Sequence, residues 1–177
     1  MDKIVGRSDV LPMAALGCLG VAVSQTAFTF GVSMTSTANT GLVFATAPVW
    51  GLLLGFAIGI ERPTRAGILG VGLSILGVGV VFREGLVGTE GASLPGDLLV
   101  LLAAVTVGAY TVFSMRLLER HSPLAVATYP TLLGAPFVLL LALPGFAGLD
   151  WGGVGGGAWV AVGFSAVFAT AFAFSAW

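Results

Sequence analysis

Serine, histidine, cysteine and the carboxylates are the residues that do covalent or acid–base chemistry, and this chain arranges them poorly for it. Gly163-Phe164-Ser165 has the Gly-x-Ser core of a serine nucleophile, but the same pattern recurs at 31–33 and 72–74. Such a serine needs a histidine within hydrogen-bond reach, and the sole histidine, His121, follows Arg120 in a charged connection. It reads as a solvated loop residue. No second His or Cys stands at ligand spacing, so no metal site is expected. Cys18 is the one cysteine; it lies in an apolar run and reads as a small packing residue. The glycine run Gly152-Gly153-Val154-Gly155-Gly156-Gly157 lacks the Lys-Ser/Thr of a phosphate loop and reads as a flexible connection. No enzyme activity and no cofactor are expected.

The remaining polar residues point to binding. Gln25 is the strongest polar group inside an apolar stretch, and its amide must find partners, as interhelical glue or as cavity lining. Asn39, Tyr110 and Thr111 are similar, with Trp50 as an apolar wall. These five are the candidate solute-lining residues. The other Ser and Thr of the apolar stretches are expected to bond back to their own helices.

Elements that position such residues follow from the charge map. The chain has 177 residues, 57 % hydrophobic and 8 % charged, with mean hydropathy +1.05. Seven basic and eight acidic residues cannot keep a soluble domain of this size dispersed. A net charge of −1 gives no footprint for nucleic acid. The stretches 10–60, 66–82, 98–115, 121–149 and 151–177 hold no Asp, Glu, Lys or Arg, the map produced when each charge in a bilayer costs about 2.5–3.5 kcal/mol. The first is too long for one span and breaks at the polar run Ser33–Thr40. Six helices are expected, over about 10–33, 40–60, 65–83, 97–117, 123–144 and 157–177: an all-α polytopic membrane bundle. The first is read as a mature span rather than a signal peptide.

Alternation of sides puts Lys3, Arg7, Arg62, Arg65, Arg116 and Arg120 on one side and Arg83 alone on the other. The positive-inside rule then places the N-terminus in the cytoplasm of a cell (inner or plasma) membrane, and Glu84, Glu90, Asp97 and Asp150 outside. Trp151 and Trp159 would sit at the outer interface. Gly51, Gly55 and Gly59 fall four apart and read as a helix-packing seam; Gly67, Gly70, Ser74 and Gly77 make a second small stripe. Pro48 and Pro136 fall inside helices and are expected to kink them.

Several motifs resemble a known family. Thr35-Ser36-Thr37-Ala38-Asn39-Thr40-Gly41-Leu42 is similar to the polar turn before the fourth helix of the drug/metabolite transporter superfamily, in particular of proteins with EamA-type domains. Pro48 matches a helix proline there. Glu61-Arg62, followed by Gly70 and Gly77, resembles the acidic turn and fifth helix. Gly96-Asp97-Leu98-Leu99 and Ala109-Tyr110-Thr111-Val112 resemble the start of the second repeat, and Ser122-Pro123-Leu124 its next connection. Ile60 and Val107 depart from the pattern, standing where Gly and Trp are usual.

The resemblance implies two inverted five-helix repeats: the C-terminal part of the first over 1–84, an external linker over 85–96, and the N-terminal part of the second over 97–177. It implies a piece of a ten-helix protein, with about two helices lacking at each end. The register requires the first span to echo the sixth. An offset of 146 aligns Ala15/Ala161, Gly17/Gly163, Val21/Val167, Ala27/Ala173 and Phe28/Phe174.

The implied activity is efflux of small organic metabolites by alternating access. The alternatives are a non-catalytic assembly or interaction subunit, or an inactive fragment. The partners are the lipid bilayer, a small-molecule solute and, for a six-helix protein, a second copy of the chain. With no carboxylate expected in mid-membrane, coupling through Glu61, through helices outside the chain, or not at all stays open.

Overall fold

The computed structural model describes residues 7–60, 62, 64–87, 93–148 and 151–172. Glu61, Glu90 and Asp150 lie outside them, as do the side chains of Arg7, Glu84 and Thr170. The regular elements among the described residues are all helices, in six apolar segments with no strand. Five are long and apolar enough to cross a bilayer: Asp9–Met34, Thr37–Ala57, Arg65–Arg83, Leu94–Leu118 and Pro123–Phe146. The sixth, Gly156–Phe168, is apolar but shorter among the described residues.

The first span is α1 (Arg7–Gly17), a π-helical stretch (Cys18–Val23) and α2 (Ser24–Met34). The second is α3 (Thr37–Phe44) and α4 (Ala47–Ala57). Then come α5 (Arg65–Val87), α6 (Leu94–Leu118) and α7 (Pro123–Ala147). The last is α8 (Gly156–Phe164), which continues as a second π-helical stretch over Ser165–Phe172.

The starts are written in the sequence. The Ser36, Ser93 and Ser122 side chains accept from the backbone N–H three residues on, at 3.1, 3.4 and 3.3 Å, capping α3, α6 and α7. Proline stands in the first turn of α4, α6 and α7, where a missing N–H costs nothing. Gly59 ends the second span at φ +74°, a conformation other residues resist.

Helix α6 is the centre of the bundle, packed by α2, α3 and α4 on one side, while α1 and the first π stretch pack on α7. Lipid tails are as apolar as Leu, so close backbone approach rather than hydrophobicity holds such helices together. Glycine provides it. A Cβ on Gly108 would stand 2.6 Å from the Gly51 nitrogen and 2.8 Å from the Ala47 oxygen, so α4 and α6 meet backbone to backbone. Gly17 of α1 faces the Pro130 carbonyl and Gly134 of α7 in the same way.

The seam expected at Gly51, Gly55 and Gly59 is thus shorter than its spacing. Gly51 and Gly55 are buried, but Gly59 is exposed, with nothing within 4 Å of where a Cβ would stand. The second stripe is open at Gly70 and Gly77, which touch nothing at that position either, while Gly67 lies near Leu52 and Phe56 of the second span.

Outward faces are apolar, as lipid requires. Leu69, Leu73 and Leu76 of α5, and Leu132 and Leu140 of α7, are exposed. Cys18, expected to pack inside, is exposed too, at the start of the first π-helical stretch. Helix α8 is tied back through a ladder of rings, Phe146 on Trp151 at 5.7 Å and Trp151 on Trp159 at 6.1 Å.

Candidate functional site

The second span is broken at its middle. Helix α3 ends at Phe44, Ala45 and Thr46 form a turn, and α4 restarts at Ala47. Pro48 causes this: it has no N–H to give the Phe44 carbonyl, and its ring crowds that carbonyl. It therefore opens a new helix instead of kinking one, which corrects the expectation from sequence. Thr46 bridges the break. Its hydroxyl donates to the Val43 oxygen at 2.6 Å and accepts from the Trp50 indole N–H at 3.0 Å. Trp50 is half-buried and held in place by that bond. In a membrane, irregular backbone is tolerated where protein or a wet cavity satisfies it.

Cavities flank the break on both sides. One of about 250 Å³ lies between α4 and α6, lined by Ala47, Pro48, Gly51, Val107, Gly108 and Thr111. The Thr111 hydroxyl bonds its own Val107 carbonyl at 3.0 Å and is otherwise exposed. The other, about 470 Å³, lies between the break and α5, lined by Leu42, Ala45, Thr46, Ser74 and Gly77 among others. Of the five residues singled out from sequence, Trp50 and Thr111 are brought to the break.

The other three go elsewhere. Asn39 is buried at the start of α3, its amide spent on Asp97 at 3.3 and 3.4 Å. Tyr110 packs beside the Met13, Leu16, Leu117 and Val126 cluster, its ring against Gly20 and its hydroxyl donating to the Val126 oxygen at 3.3 Å. Gln25 is exposed on α2, with no side-chain partner among the described residues. Thr29 and Ser33, four and eight residues on, are exposed on the same face. Pro136 lies inside α7, as expected, together with Pro130 and Pro144.

Asp97 is the main residue that sequence reasoning misplaced. Expected in the outer loop region, it sits in the first turn of α6 and is 0 % exposed. The Thr35 hydroxyl donates to it at 2.6 Å. Thr35 is the extended residue between α2 and α3, and it also accepts from the Ser93 N–H at 3.4 Å. Spacing alone gave one signal for the site: Ser93-Leu94-Pro95-Gly96-Asp97 is a capped helix start, which places the carboxylate inside the helix at its positive end.

At the opposite end of α6 lies a large cavity, about 810 Å³. Its walls include Pro12, Leu19 and Phe113, and charges of both signs rim it: Asp9, Arg116, Glu119 and Arg120. His121 is no wet loop residue. Its side chain is 5 % exposed and its Nε2 lies 3.1 Å from Asp9 Oδ2, tying the start of α1 to the α6–α7 connection. His121→Ala is expected to cost about 1 kcal/mol, the net worth of one such bond, read as a lowered unfolding midpoint in detergent.

Comparison with known proteins agrees with this architecture. The EamA-like transporter family matches residues 2–83 and again 94–177. A curated protein of Archaeoglobus fulgidus, an uncharacterized transporter, is 27 % identical over 135 residues, 76 % of this chain and 47 % of that protein. The uncharacterized transporter YyaM of Bacillus subtilis is 25 % identical over 173 residues, 97 % of this chain and 57 % of its own. A probable terminal-alkyne amino-acid exporter of Streptantibioticus cattleyicolor is 33 % identical over 136 residues, 76 % of this chain and 45 % of its own. The chain thus spans about half the length of the curated relatives it matches. No solved structure gave a significant match. A multi-pass helical membrane protein whose sequence matches in both halves, it belongs to the EamA-like transporter family.

Proposed function

We propose that the chain takes part in moving a small organic metabolite out of the cell by alternating access, with the solute passing the break in the second span. The observation that carries this reading is that break, placed mid-span between two cavities. Transporter sites form where helices are discontinuous and backbone carbonyls are freed. Thr111, in the wall of the smaller cavity, and Trp50, held to Thr46 at the break, are the residues that meet the solute. Gln25, Thr29 and Ser33 form a second polar face that hydrocarbon would penalise, so it lines a wet passage.

The two-repeat organisation belongs to this proposal, with residues 1–84 and 97–177 as parts of inverted repeats. One feature of the winding supports it. The first and last spans both pass into a π-helix, at Cys18–Val23 and Ser165–Phe172. Adding the sequence offset of 146 to the former gives 164–169, overlapping the latter.

The solute is an amphiphile bearing both charge signs. The large cavity offers Arg116 and Arg120 beside Asp9 and Glu119, above apolar walls, which suits a zwitterion with an apolar side chain. The name of the Streptantibioticus relative points the same way. Proteoliposomes holding the chain should exchange an alkyne-bearing L-amino acid above the level of empty liposomes. Thr111→Val should lower that rate about 2- to 10-fold, the loss expected for one hydrogen bond of ~0.5–1.5 kcal/mol. Exchange no faster than in empty liposomes would remove the reading.

The six-to-one distribution of Lys and Arg supports a cytoplasmic N-terminus, with the large cavity on the same side. In a Cys18→Ser background, an impermeant thiol reagent added to intact cells should label Glu90→Cys and spare Pro63→Cys. The reverse pattern would invert the topology.

A further inference from the structure

We infer that Asp9 is the residue that takes the solute's ammonium group in the large cavity, and that His121 is its positioning residue, holding the carboxylate and setting the charge of the pair with pH. The inference rests on the transporter reading for its zwitterionic solute, and it assigns the two ends of that solute.

The cavity draws its charges from two elements. Asp9 stands in the first turn of α1, while Arg116 is in the last turn of α6 and Glu119 and Arg120 follow that helix. Both cations therefore come from the α6 end, a fit for a carboxylate, which a guanidinium group can bind in forked geometry. The ammonium group must be met by an anion. Glu119 is exposed, so water and salt screen it. The Asp9 side chain is 19 % exposed, and a charge withdrawn from water acts more strongly on a neighbour. Leu19 of the first span and Phe113 of α6 supply apolar wall for the rest of the solute.

His121 stands behind Asp9. It does not line the cavity, and its side chain is 5 % exposed. A carboxylate only accepts, so His121 Nε2, 3.1 Å from Asp9 Oδ2, carries the proton between them. That bond engages one oxygen of Asp9. Among the described residues the other, Oδ1, has no hydrogen-bond partner, which leaves it for the cavity. The second ring nitrogen of His121 is where the charge changes. With Nδ1 bare, the pair carries one negative charge. Once Nδ1 takes a proton, the imidazolium cancels that charge and the pull on an ammonium group weakens. Affinity for the ammonium group therefore falls as pH falls through about pH 8 to 5, where histidine can change charge. The other charged groups at the cavity are Arg116, Glu119 and Arg120, while α7 and the second span hold no Asp, Glu, Lys, Arg or His over 123–147 and 37–60. Of these side-chain types, only histidine ordinarily titrates in that range.

Three probes separate the ends of the solute: 2-amino-4-pentynoic acid, its decarboxylated amine 3-butynylamine, and its deaminated acid 4-pentynoic acid. Their binding to the chain in lipid nanodiscs is read by ligand-detected NMR between about pH 5.5 and pH 7.5. Asp9→Asn should weaken the amino acid and the amine about 10- to 100-fold, the range of a charge-assisted hydrogen bond, and should not weaken the acid. The unaltered chain should lose affinity for the amine toward the acid end of the range. His121→Gln keeps an N–H for Asp9 but cannot take the second proton, so its amine affinity should stay level across the range. A pair that only tied α1 to the α6–α7 connection would move the unfolding midpoint and leave this profile alone. Amine binding that survives Asp9→Asn, that is lost in Glu119→Gln alone, or that is missing from the unaltered chain would overturn the role of Asp9. Equal pH profiles for the unaltered chain and His121→Gln would overturn the role of His121. If the amine behaves as expected and the proteoliposomes show no exchange, the assignment stands and the transporter reading falls. Exchange together with amine binding indifferent to Asp9 keeps that reading and removes this one.

Discussion

Gly108→Val should destabilise the bundle by about 1–3 kcal/mol, or abolish folding, whereas Gly70→Val should leave it nearly unchanged. Both substitutions put the same side chain on a membrane helix. At 108 the first new carbon would stand 2.6 Å from the Gly51 nitrogen and 2.8 Å from the Ala47 oxygen. Those are backbone atoms of α4 and cannot rotate aside. Helix α4 must move off α6, and it carries the smaller cavity and the break with it. At 70 nothing lies within 4 Å, so the new methyls meet only lipid. Unfolding midpoints in mild detergent, followed by tryptophan fluorescence, check the pair. Trp50, on α4 itself, is a reporter at the contact. Equal behaviour of the two variants would show that α4 and α6 do not meet at Gly51 and Gly108.

Asp97→Leu should be nearly as damaging. It leaves the Thr35 hydroxyl and the Asn39 amide without their acceptor at a buried site. An orphaned buried donor costs about 1–3 kcal/mol, and losing a negative charge in the first turn of α6 adds ~0.3–1 kcal/mol. Asp97→Asn keeps one acceptor oxygen and should cost less. Adding Thr35→Val to Asp97→Leu should restore part of the loss, since removing both partners of a buried bond approaches neutrality. A double variant no more stable than Asp97→Leu alone would show that Thr35 is not the partner that matters. The measurement is again the unfolding midpoint, with α2, α3 and α6 all depending on one carboxylate.

The two variants mark where reading by residue type succeeds and fails. The spans were legible because each charge in hydrocarbon is costly on its own, whatever the fold around it. The expected helix over 97–117 is observed at Leu94–Leu118, and that over 123–144 at Pro123–Phe146. Glycine spacing was less informative. It singled out Gly51 correctly as a contact, but it grouped it with Gly59, which ends a helix, and gave no hint that Gly108 is the partner. Trp50 and Thr111 were picked for their chemistry, and the structure puts Trp50 on Thr46 at the break and Thr111 in the wall of the cavity beside α4; Tyr110 and Asn39 were picked on the same grounds and are consumed by internal bonds. Their chemistry is the same in either place. What differs is which neighbour, distant in sequence, stands opposite.

The sequence by itself determined that this is a helical membrane protein, where its spans run, where its helices are capped, and which family its motifs resemble. These are local properties, set by hydropathy, by the missing N–H of proline, and by a serine three residues from the N–H it caps. The tertiary structure decided that Asp97 is buried rather than solvated, that His121 pairs with Asp9 across 112 positions, and that Gln25 faces outward. It also decided which glycines touch backbone and which touch nothing. Those outcomes depend on how helices are rotated and paired. In a bilayer that choice is made by backbone contact and polar partners, since apolarity is nearly uniform around each helix and cannot select a face.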